Sequence, residues 1–273
     1  MTLNERDRLL ELLTELRLRG MVGALEHELE HVEQTASSAT ELLYRLLLEE
    51  SRYRRERSLA YRLDQAKLPW PWTLDTFPFH SQPGVNKAHI HTLAGLDFVR
   101  RAHNLVLIGS PGTGKSGIAI GLLRQACLNG YRGRFYNAQA LLDELYASLA
   151  DRSTAKLLNR LARYDVLLID ELGYLTLKPE QSNAFFRLMD QRYNRTSTIL
   201  TTNLDYEAWY ELFDKKPLVD ALLDRLQHHC ITIRINGPSL RTPPPQPPPA
   251  SEKPAPTQNT EKNKRSRQSP PAS

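Results

Sequence analysis

The chain has 273 residues, of which 40% are hydrophobic and 25% are charged, a composition typical of globular domains rather than of disordered or fibrous chains. No run of about 18 apolar residues occurs and the charged start MTLNERDRLL lacks the apolar stretch of a secretion signal, so we expect a cytoplasmic protein without a membrane segment. The formal net charge of +5 favours polyanionic partners without locating the positive surface.

Residues 1–66 predict a small helical domain. Leucines recur at helical spacing near the start of the chain, and a second helix is expected from Ser38, where Glu41 completes a capping-box pattern, as far as Ala66. Residues 67–94 follow as a linker, because the prolines at 69, 71 and 78 forbid a continuous helix there. We expect the aromatic side chains of this linker to dock on a neighbouring domain.

Residues 95–241 alternate apolar runs with helical patterns, which predicts a parallel sheet covered by helices. The five runs that are typical of strands are LVLIG, GRFYNA, DVLLID, STILTTN and ITIRI, and helices are expected to begin near Lys115, Gln139, Thr154, Glu180 and Pro217. GRFYNA is expected either between the strands LVLIG and DVLLID or at the edge of the sheet. Residues 242–273 are rich in proline and have few apolar residues to bury, so we expect a disordered basic tail.

A glycine-rich loop follows the first of these strands. Gly109, Gly114, Lys115 and Ser116 have the spacing of a phosphate-binding loop between a strand and a helix. Glycines let backbone N–H groups curl around a phosphate, the lysine adds a mobile cation, and the serine hydroxyl can ligate Mg²⁺. The residues predicted to bind the nucleotide are Gly109, Ser110, Pro111, Gly112, Thr113, Gly114, Lys115, Ser116 and Gly117. Tight packing alone is the alternative explanation of such a turn.

Two acidic residues end the strand DVLLID. One carboxylate of such a pair can hold Mg²⁺ while its neighbour orients or deprotonates an attacking water. We therefore assign Asp170 to the metal, together with Ser116, and Glu171 to catalysis, together with Lys115. Asn203, after STILTTN, is expected at the γ-phosphate or the lytic water, although an asparagine there can also cap the next turn. No guanine-recognition signature occurs, which favours ATP.

The combination of GSPGTGKS, LLIDELGYL, RYNRTSTILTTN and DRLQHHCITIRINGPSLR resembles the AAA+ ATPases of the initiator and helicase-loader branch, and more closely the IstB family of insertion-sequence transposition helpers. The resemblance covers roughly residues 3–241 and implies an α/β ATPase with a five-stranded parallel sheet sandwiched by helices. It also implies ATP-dependent assembly of a homo-oligomer on double-stranded DNA, which recruits or activates a transposase. The proline-rich tail departs from the family, which commonly ends soon after PSLR.

Two arginines gain roles from this resemblance. Arg225 matches the arginine finger that completes the active site of an adjacent subunit, and Arg241 matches the second sensor of its own subunit. A guanidinium supplied by a neighbour would make hydrolysis depend on assembly. For each arginine, a surface ion pair is the alternative.

Basic residues that are candidates for DNA contact cluster on the predicted helix before residue 66, and the resemblance to the initiator branch adds two segments of the ATPase region. They are Arg52, Arg54, Arg55, Arg57, Arg132, Arg134, Lys156 and Arg160. Phosphate contacts from such residues would be independent of DNA sequence and weakened by salt. A solvated helix with ion pairs such as Glu50–Arg54 is an equally supported alternative. Two other functions stay open: a replicative helicase loader of the DnaC type, and a nucleotide-gated DNA-binding scaffold with little turnover.

Overall fold

Three helices form the N-terminal part of the chain in a computed structural model that describes residues 3–35, 37–173, 177–213 and 216–241. They are α1 (Leu3–Glu15), α2 (Arg19–Thr35) and α3 (Ala39–Ala66). The Ser38 side chain accepts a hydrogen bond from the Glu41 backbone N–H at 3.2 Å, which confirms the predicted start of α3. The three helices share a small apolar cluster of Leu13, Met21, Leu25 and Leu46.

Five strands form one sheet in which every neighbouring pair is parallel. The strands are β1 (Asn104–Gly109), β2 (Gly133–Asn137), β3 (Val166–Asp170), β4 (Ser197–Thr202) and β5 (Cys230–Ile235), and their order is β2-β3-β4-β1-β5. β3 and β4 are buried along their whole length, as expected for strands covered by helices on both faces. GRFYNA therefore supplies an edge strand, and β4 separates the strand before the glycine-rich loop from the strand that ends in the acidic pair.

Helices cover both faces of the sheet, which confirms the predicted sandwich. The helices after the N-terminal three are α4 (Lys87–Ala94), α5 (Asp97–Arg100), α6 (Lys115–Leu128), α7 (Ala138–Ala150), α8 (Thr154–Ala162), α9 (Pro179–Arg192), α10 (Trp209–Leu212) and α11 (Lys216–His228), with short 3₁₀ turns at Phe79–Ser81 and Tyr206–Ala208. Each helix start predicted from the sequence lies within one residue of the observed start. One face carries an apolar core around Phe185 and Trp209, and the other carries a core around Phe98 and Ile118.

The C-terminal half of α3 docks on the sheet domain. Arg62 Nε donates a hydrogen bond to the backbone carbonyl of Cys127, at the end of α6, at 3.0 Å. Arg134 Nη1, on β2, donates to the backbone carbonyl of Gln65 at 3.1 Å. A single helix of 28 residues thus belongs to the N-terminal cluster at its beginning and to the sheet domain at its end.

The linker crosses the surface of α6 and includes one helix that the sequence reasoning missed. Helix α4 begins after Asn86, whose side chain accepts a hydrogen bond from the His89 backbone N–H at 3.1 Å. Before it, Leu74 packs over Gly121 of α6 and Phe77 packs over Gly117. Aromatic side chains of the linker do rest on the neighbouring domain.

The proline-rich tail predicted from residue 242 onward lies outside the described residues. Within the described part of the chain, no helix combines the length and the apolar character needed to cross a bilayer.

Candidate active site

The loop between β1 and α6 needs glycine at two positions. Gly112 and Gly114 have φ angles of +81° and +91°, in the region that residues with a Cβ rarely adopt. A Cβ on Gly112 would collide with the hydroxyl of Ser239, and a Cβ on Gly114 would lie 2.7 Å from the ring of Phe77. The loop is therefore curled by its glycines and enclosed by two segments that are distant in sequence.

Lys115, the first residue of α6, folds back over this loop. Its Nζ donates hydrogen bonds to the backbone carbonyls of Gly109 at 2.6 Å and Ser110 at 2.8 Å. Burial lowers the pKa of Lys115, the carboxylate of Asp170 opposes that lowering, and the positive charge of Arg241 adds to it. A bound phosphate would supply an anionic partner to an ammonium group that now has only carbonyl acceptors in the loop.

The glycine-rich loop and the acidic pair meet at the carboxyl end of the sheet. Asp170, the last residue of β3, is 3% exposed, and its Oδ1 accepts hydrogen bonds from Ser116 Oγ at 2.8 Å and Thr201 Oγ1 at 2.5 Å. Burial raises the pKa of Asp170, while the hydrogen bonds from Thr201 and Ser116 oppose the rise. A hydroxyl and a carboxylate oxygen side by side are the hard oxygen donors that Mg²⁺ prefers.

Glu171 is held by a residue that the sequence reasoning missed. Its backbone has a φ of +64°, and its Oε2 accepts a hydrogen bond from Asn137 Nδ2 at 3.2 Å. Asn137 ends β2, in register with Asp170 at the end of β3. The carboxyl ends of parallel strands meet at one edge of a sheet. The asparagine at the end of the strand GRFYN could therefore have been recognised as a candidate site residue from the sequence.

Asn203 lies at the wall of a cavity beside the glycine-rich loop. Its Oδ1 is buried and finds no hydrogen-bond partner among the described residues. The next turn is instead capped by Thr202, whose Oγ1 accepts a hydrogen bond from the Leu204 N–H at 3.0 Å. A buried amide oxygen without a partner at a cavity wall is available to a ligand or a water.

The cavity has a volume of about 470 Å³ and brings most of the predicted site together. Lys115, Ser116, Glu171, Asn203 and Arg241 line it. The cavity is also lined by residues that the sequence reasoning did not assign to the site: Trp72, Thr73, Thr76, Phe77, Pro78 and Leu240. Aromatic and apolar side chains beside a phosphate-binding loop suit a planar heterocyclic base.

Gln82 ties this part of the cavity lining to the loop and was also missed. Its side chain is fully buried, and Nε2 donates hydrogen bonds to the backbone carbonyls of Thr113 at 3.1 Å and Pro238 at 2.9 Å. The Leu240 N–H donates to the carbonyl of Gly112 at 2.8 Å. The linker, the glycine-rich loop and the segment after β5 are thus held together by buried polar contacts.

The chain matches the family model of the IstB-like ATP binding proteins over residues 11–244. It belongs to that family. Over 230 residues it is 37% identical to the ATP-binding protein of insertion sequence IS21 from Pseudomonas aeruginosa, covering 84% of this chain and 87% of that protein. Over 236 residues it is 34% identical to the ATP-binding protein of insertion sequence IS5376 from Geobacillus stearothermophilus, covering 86% of this chain and 94% of that protein.

Among solved structures, this IstB-like chain is similar to the DnaC helicase loader. The TM-score is 0.54 at 25% identity, and the match covers 63% of this chain and all of that one. The matched fold and the family together make the chain an ATP-binding protein of the AAA+ type. The fold class expected from the resemblance is confirmed.

The two arginines of the IstB-like pattern lie in different places. Arg241 lines the cavity of its own chain. Arg225, on α11, does not line that cavity; its side chain is 42% exposed and forms an ion pair with Asp190 at 3.1 Å. Exposed ion pairs contribute about 0–1 kcal/mol, so this one can be exchanged for another partner at small cost.

Several of the basic residues predicted to contact DNA are engaged within the chain. The ion pairs join Arg52 to Glu49, Arg54 to Glu50, Arg132 to Asp165 and Arg160 to Glu144. The Glu50–Arg54 pair is the one that the alternative interpretation named. Arg55, Arg57 and Lys156 are exposed.

Arg134 has contacts that favour a structural role over a DNA contact. Besides its hydrogen bond to the Gln65 carbonyl, its guanidinium lies 5.1 Å from the centre of the Tyr136 ring. Its hydrogen bond joins α3 to the edge strand, so a DNA phosphate would have to compete with contacts of the fold itself.

Proposed function

We propose that this chain is a DNA-dependent ATPase that assembles on double-stranded DNA and recruits or activates the transposase of an insertion sequence. The observation that carries the proposal is the 2.8 Å contact between Ser116 Oγ and Asp170 Oδ1. It brings the phosphate-binding loop and the acidic strand end into one site, with Glu171 and Asn203 on the wall of the same cavity. Binding alone does not require a carboxylate at the position of Glu171, whereas hydrolysis does.

Each side chain has one part in the proposed hydrolysis. Lys115 exchanges its carbonyl partners for the β- and γ-phosphates, and Ser116 with Asp170 holds Mg²⁺, which neutralises phosphate charge when bound. Glu171 orients or deprotonates the attacking water, and Asn203 positions that water or the γ-phosphate. The aromatic wall around Phe77 receives the base.

The position of Arg225 supports control of hydrolysis by assembly. Arg225 is partly exposed, forms a surface ion pair with Asp190 and is not among the residues that line its own cavity. A guanidinium delivered by a neighbouring subunit would neutralise charge that develops at the γ-phosphate, an effect worth about 10³–10⁵ in rate in other phosphate-loop enzymes. Assembly along DNA raises the local concentration of neighbours and so turns hydrolysis on.

The decisive experiment measures ATP turnover with and without duplex DNA, with sedimentation of the same samples. We expect DNA to stimulate turnover and to produce larger assemblies. Arg225→Ala should lower the DNA-stimulated rate of ATP turnover by about 10³-fold or more and leave nucleotide binding intact. Arg234→Ala is the matched control, because Arg234 forms a similar exposed ion pair with Asp205 at 3.2 Å.

Mixing two inactive variants separates a shared site from a self-contained one. Lys115→Ala disables the loop and Arg225→Ala disables the finger. If the finger acts on a neighbour, a mixture regains turnover at interfaces where an intact loop meets an intact finger. A mixture as inactive as its components, or equal turnover of the parent with and without DNA, contradicts the proposal.

The likeness to the DnaC helicase loader, at 25% identity, favours helicase loading as the second candidate. Both functions use the same ATPase chemistry, so the discriminating measurement is the partner. A pull-down with the Glu171→Gln variant, which should keep ATP bound, retrieves a transposase under our proposal and a hexameric helicase under the alternative. A scaffold without turnover would show no stimulated hydrolysis at all.

A further inference from the structure

Thr201 contacts both residues of the acidic pair. It is the fifth residue of β4 and is fully buried. Its Oγ1 donates a hydrogen bond to Asp170 Oδ1 at 2.5 Å and accepts one from the Glu171 backbone N–H at 2.9 Å. One hydroxyl therefore joins the residue assigned to the metal and the residue assigned to the water.

The direction of these bonds is fixed by chemistry. A backbone N–H can only donate, so the bond from Glu171 uses an acceptor site of the hydroxyl and leaves its single hydrogen for the carboxylate of Asp170. The backbone carbonyl of Thr201 also accepts a hydrogen bond from the Leu172 N–H at 2.9 Å. One residue of β4 thereby fixes three consecutive residues at the exit of β3.

The backbone of Glu171 needs such a restraint. Its φ of +64° lies in the left-handed region, which costs a residue with a Cβ about 1–2 kcal/mol. Without a partner for its N–H, the backbone of Glu171 could leave this conformation, and the direction of the side chain would change with it. The hydrogen bond to Thr201 holds the backbone in the conformation that directs Glu171 to the cavity wall.

Ser116 cannot substitute for Thr201. It also donates to Asp170 Oδ1 and can keep that bond when a lone pair of its oxygen ligates Mg²⁺, but the Glu171 N–H donates to Thr201 and not to Ser116. Thr201 is enclosed in the sheet and keeps its two partners in either case. A hydroxyl in a fully buried strand is costly unless it is hydrogen-bonded, and valine would fill the same space.

We infer that Thr201 is a positioning residue for ATP hydrolysis: it orients Asp170 toward the metal and Glu171 toward the water. This inference rests on the proposed function of the same site. Removing a group that orients a metal ligand costs about 10–100-fold in metal affinity or activity in other enzymes. The loss should fall on the magnesium requirement and on kcat, because the loop that binds the phosphates is unchanged.

The test compares Thr201→Val, which keeps the shape and removes the hydroxyl, with Thr201→Ser, which keeps the hydroxyl. Thr198→Val is the matched control. Thr198 is fully buried on the same strand, and its Oγ1 accepts a hydrogen bond from Arg192 Nε at 3.0 Å, at the opposite end of β4. Thr198→Val therefore measures the effect of removing a buried threonine hydroxyl from β4 at a position away from the site.

Two quantities are measured: the magnesium concentration that half-saturates binding of a fluorescent ATP analogue, and kcat with KM for ATP. For Thr201→Val we expect the magnesium requirement to rise and kcat to fall by about 10–100-fold. Nucleotide binding without magnesium and KM should stay within about twofold of the parent. Thr201→Ser should recover most of the loss, and Thr198→Val should match the parent in both quantities.

A Thr201→Val protein that matches Thr198→Val overturns the inference, and so does a folded Thr201→Ser protein that is as impaired as Thr201→Val. Should the valine variant fail to fold, hydrogen exchange on the unaltered chain still decides: the Glu171 amide must be as protected as the amides of β4, and fast exchange overturns the inference. A parent protein without magnesium-dependent nucleotide binding would instead refute the proposed function itself.

Discussion

Two glycines of α6, one turn apart, should respond in opposite ways to replacement by alanine. A Cβ on Gly117 would meet the rings of Phe77 and Trp72 at 3.5–3.6 Å, which is ordinary van der Waals contact. A Cβ on Gly121 would lie 2.7 Å from Leu74 Cδ2 and 3.1 Å from its backbone nitrogen. The side-chain end can move, but the backbone of the linker would have to shift with it.

The size of the two effects follows from these distances. Alanine gains about 1 kcal/mol over glycine in a helix interior; Gly117 lies in the first turn of α6, so Gly117→Ala should stabilise the fold by up to that amount. Overpacking costs about 1–3 kcal/mol, so Gly121→Ala, in the interior of α6, should end between neutral and about 2 kcal/mol less stable than the parent. The two variants should therefore differ by up to about 3 kcal/mol, and most of that difference reports the overpacking.

Urea unfolding of the two variants measures that difference, and binding of a fluorescent ATP analogue measures its effect on the cavity. Displacing Leu74 displaces the linker that carries Trp72 and Phe77, so Gly121→Ala should also bind the nucleotide more weakly than the parent. Equal stabilities, or a less stable Gly117→Ala, would refute the packing argument.

Two further predictions concern single polar contacts. The hydrogen bond from Asn137 to the Glu171 carboxylate competes with the attacking water for that carboxylate and is worth about 1 kcal/mol, so Asn137→Ala should raise DNA-free ATP turnover about fivefold; a fall in a steady-state assay would contradict this competition. Burial would raise the pKa of Asp165, but hydrogen bonds from Arg132 hold it below its ordinary value of 3.8. A carboxylate whose pKa is lowered by folding stabilises the protein above its ordinary pKa, and this stabilisation is lost as the pH falls through the lowered pKa. Asp165→Asn should therefore cost about 1 kcal/mol of unfolding free energy at neutral pH. The difference in unfolding free energy between parent and variant, measured with urea, should shrink as the pH falls below 3.8. A gap independent of pH would point to another cause.

The sequence predicts those parts of the site that lie next to each other in the chain. The loop up to Ser116 and the acidic pair at Asp170 are recognisable because their spacing and the adjoining strands are local features. Thr201 was not singled out, because its importance depends on β4 lying between β1 and β3, and strand order is set by packing of distant segments. The contribution of linker residues 72–78 to the cavity was not predicted for the same reason. The glycines at positions 117 and 121, four residues apart on α6, nevertheless indicate that another segment approaches this helix closely.

The continuity of α3 limits how the N-terminal helices can be exchanged between relatives. A transplant that cut the chain at Lys67 would replace the side chain of Arg62 that reaches the end of α6. The incoming helix would also have to place its own backbone carbonyl where that of Gln65 accepts the hydrogen bond from Arg134. A functional chimera should therefore join its two parents inside α3, upstream of Ser58, so that the docked turns travel with the sheet to which they are fitted.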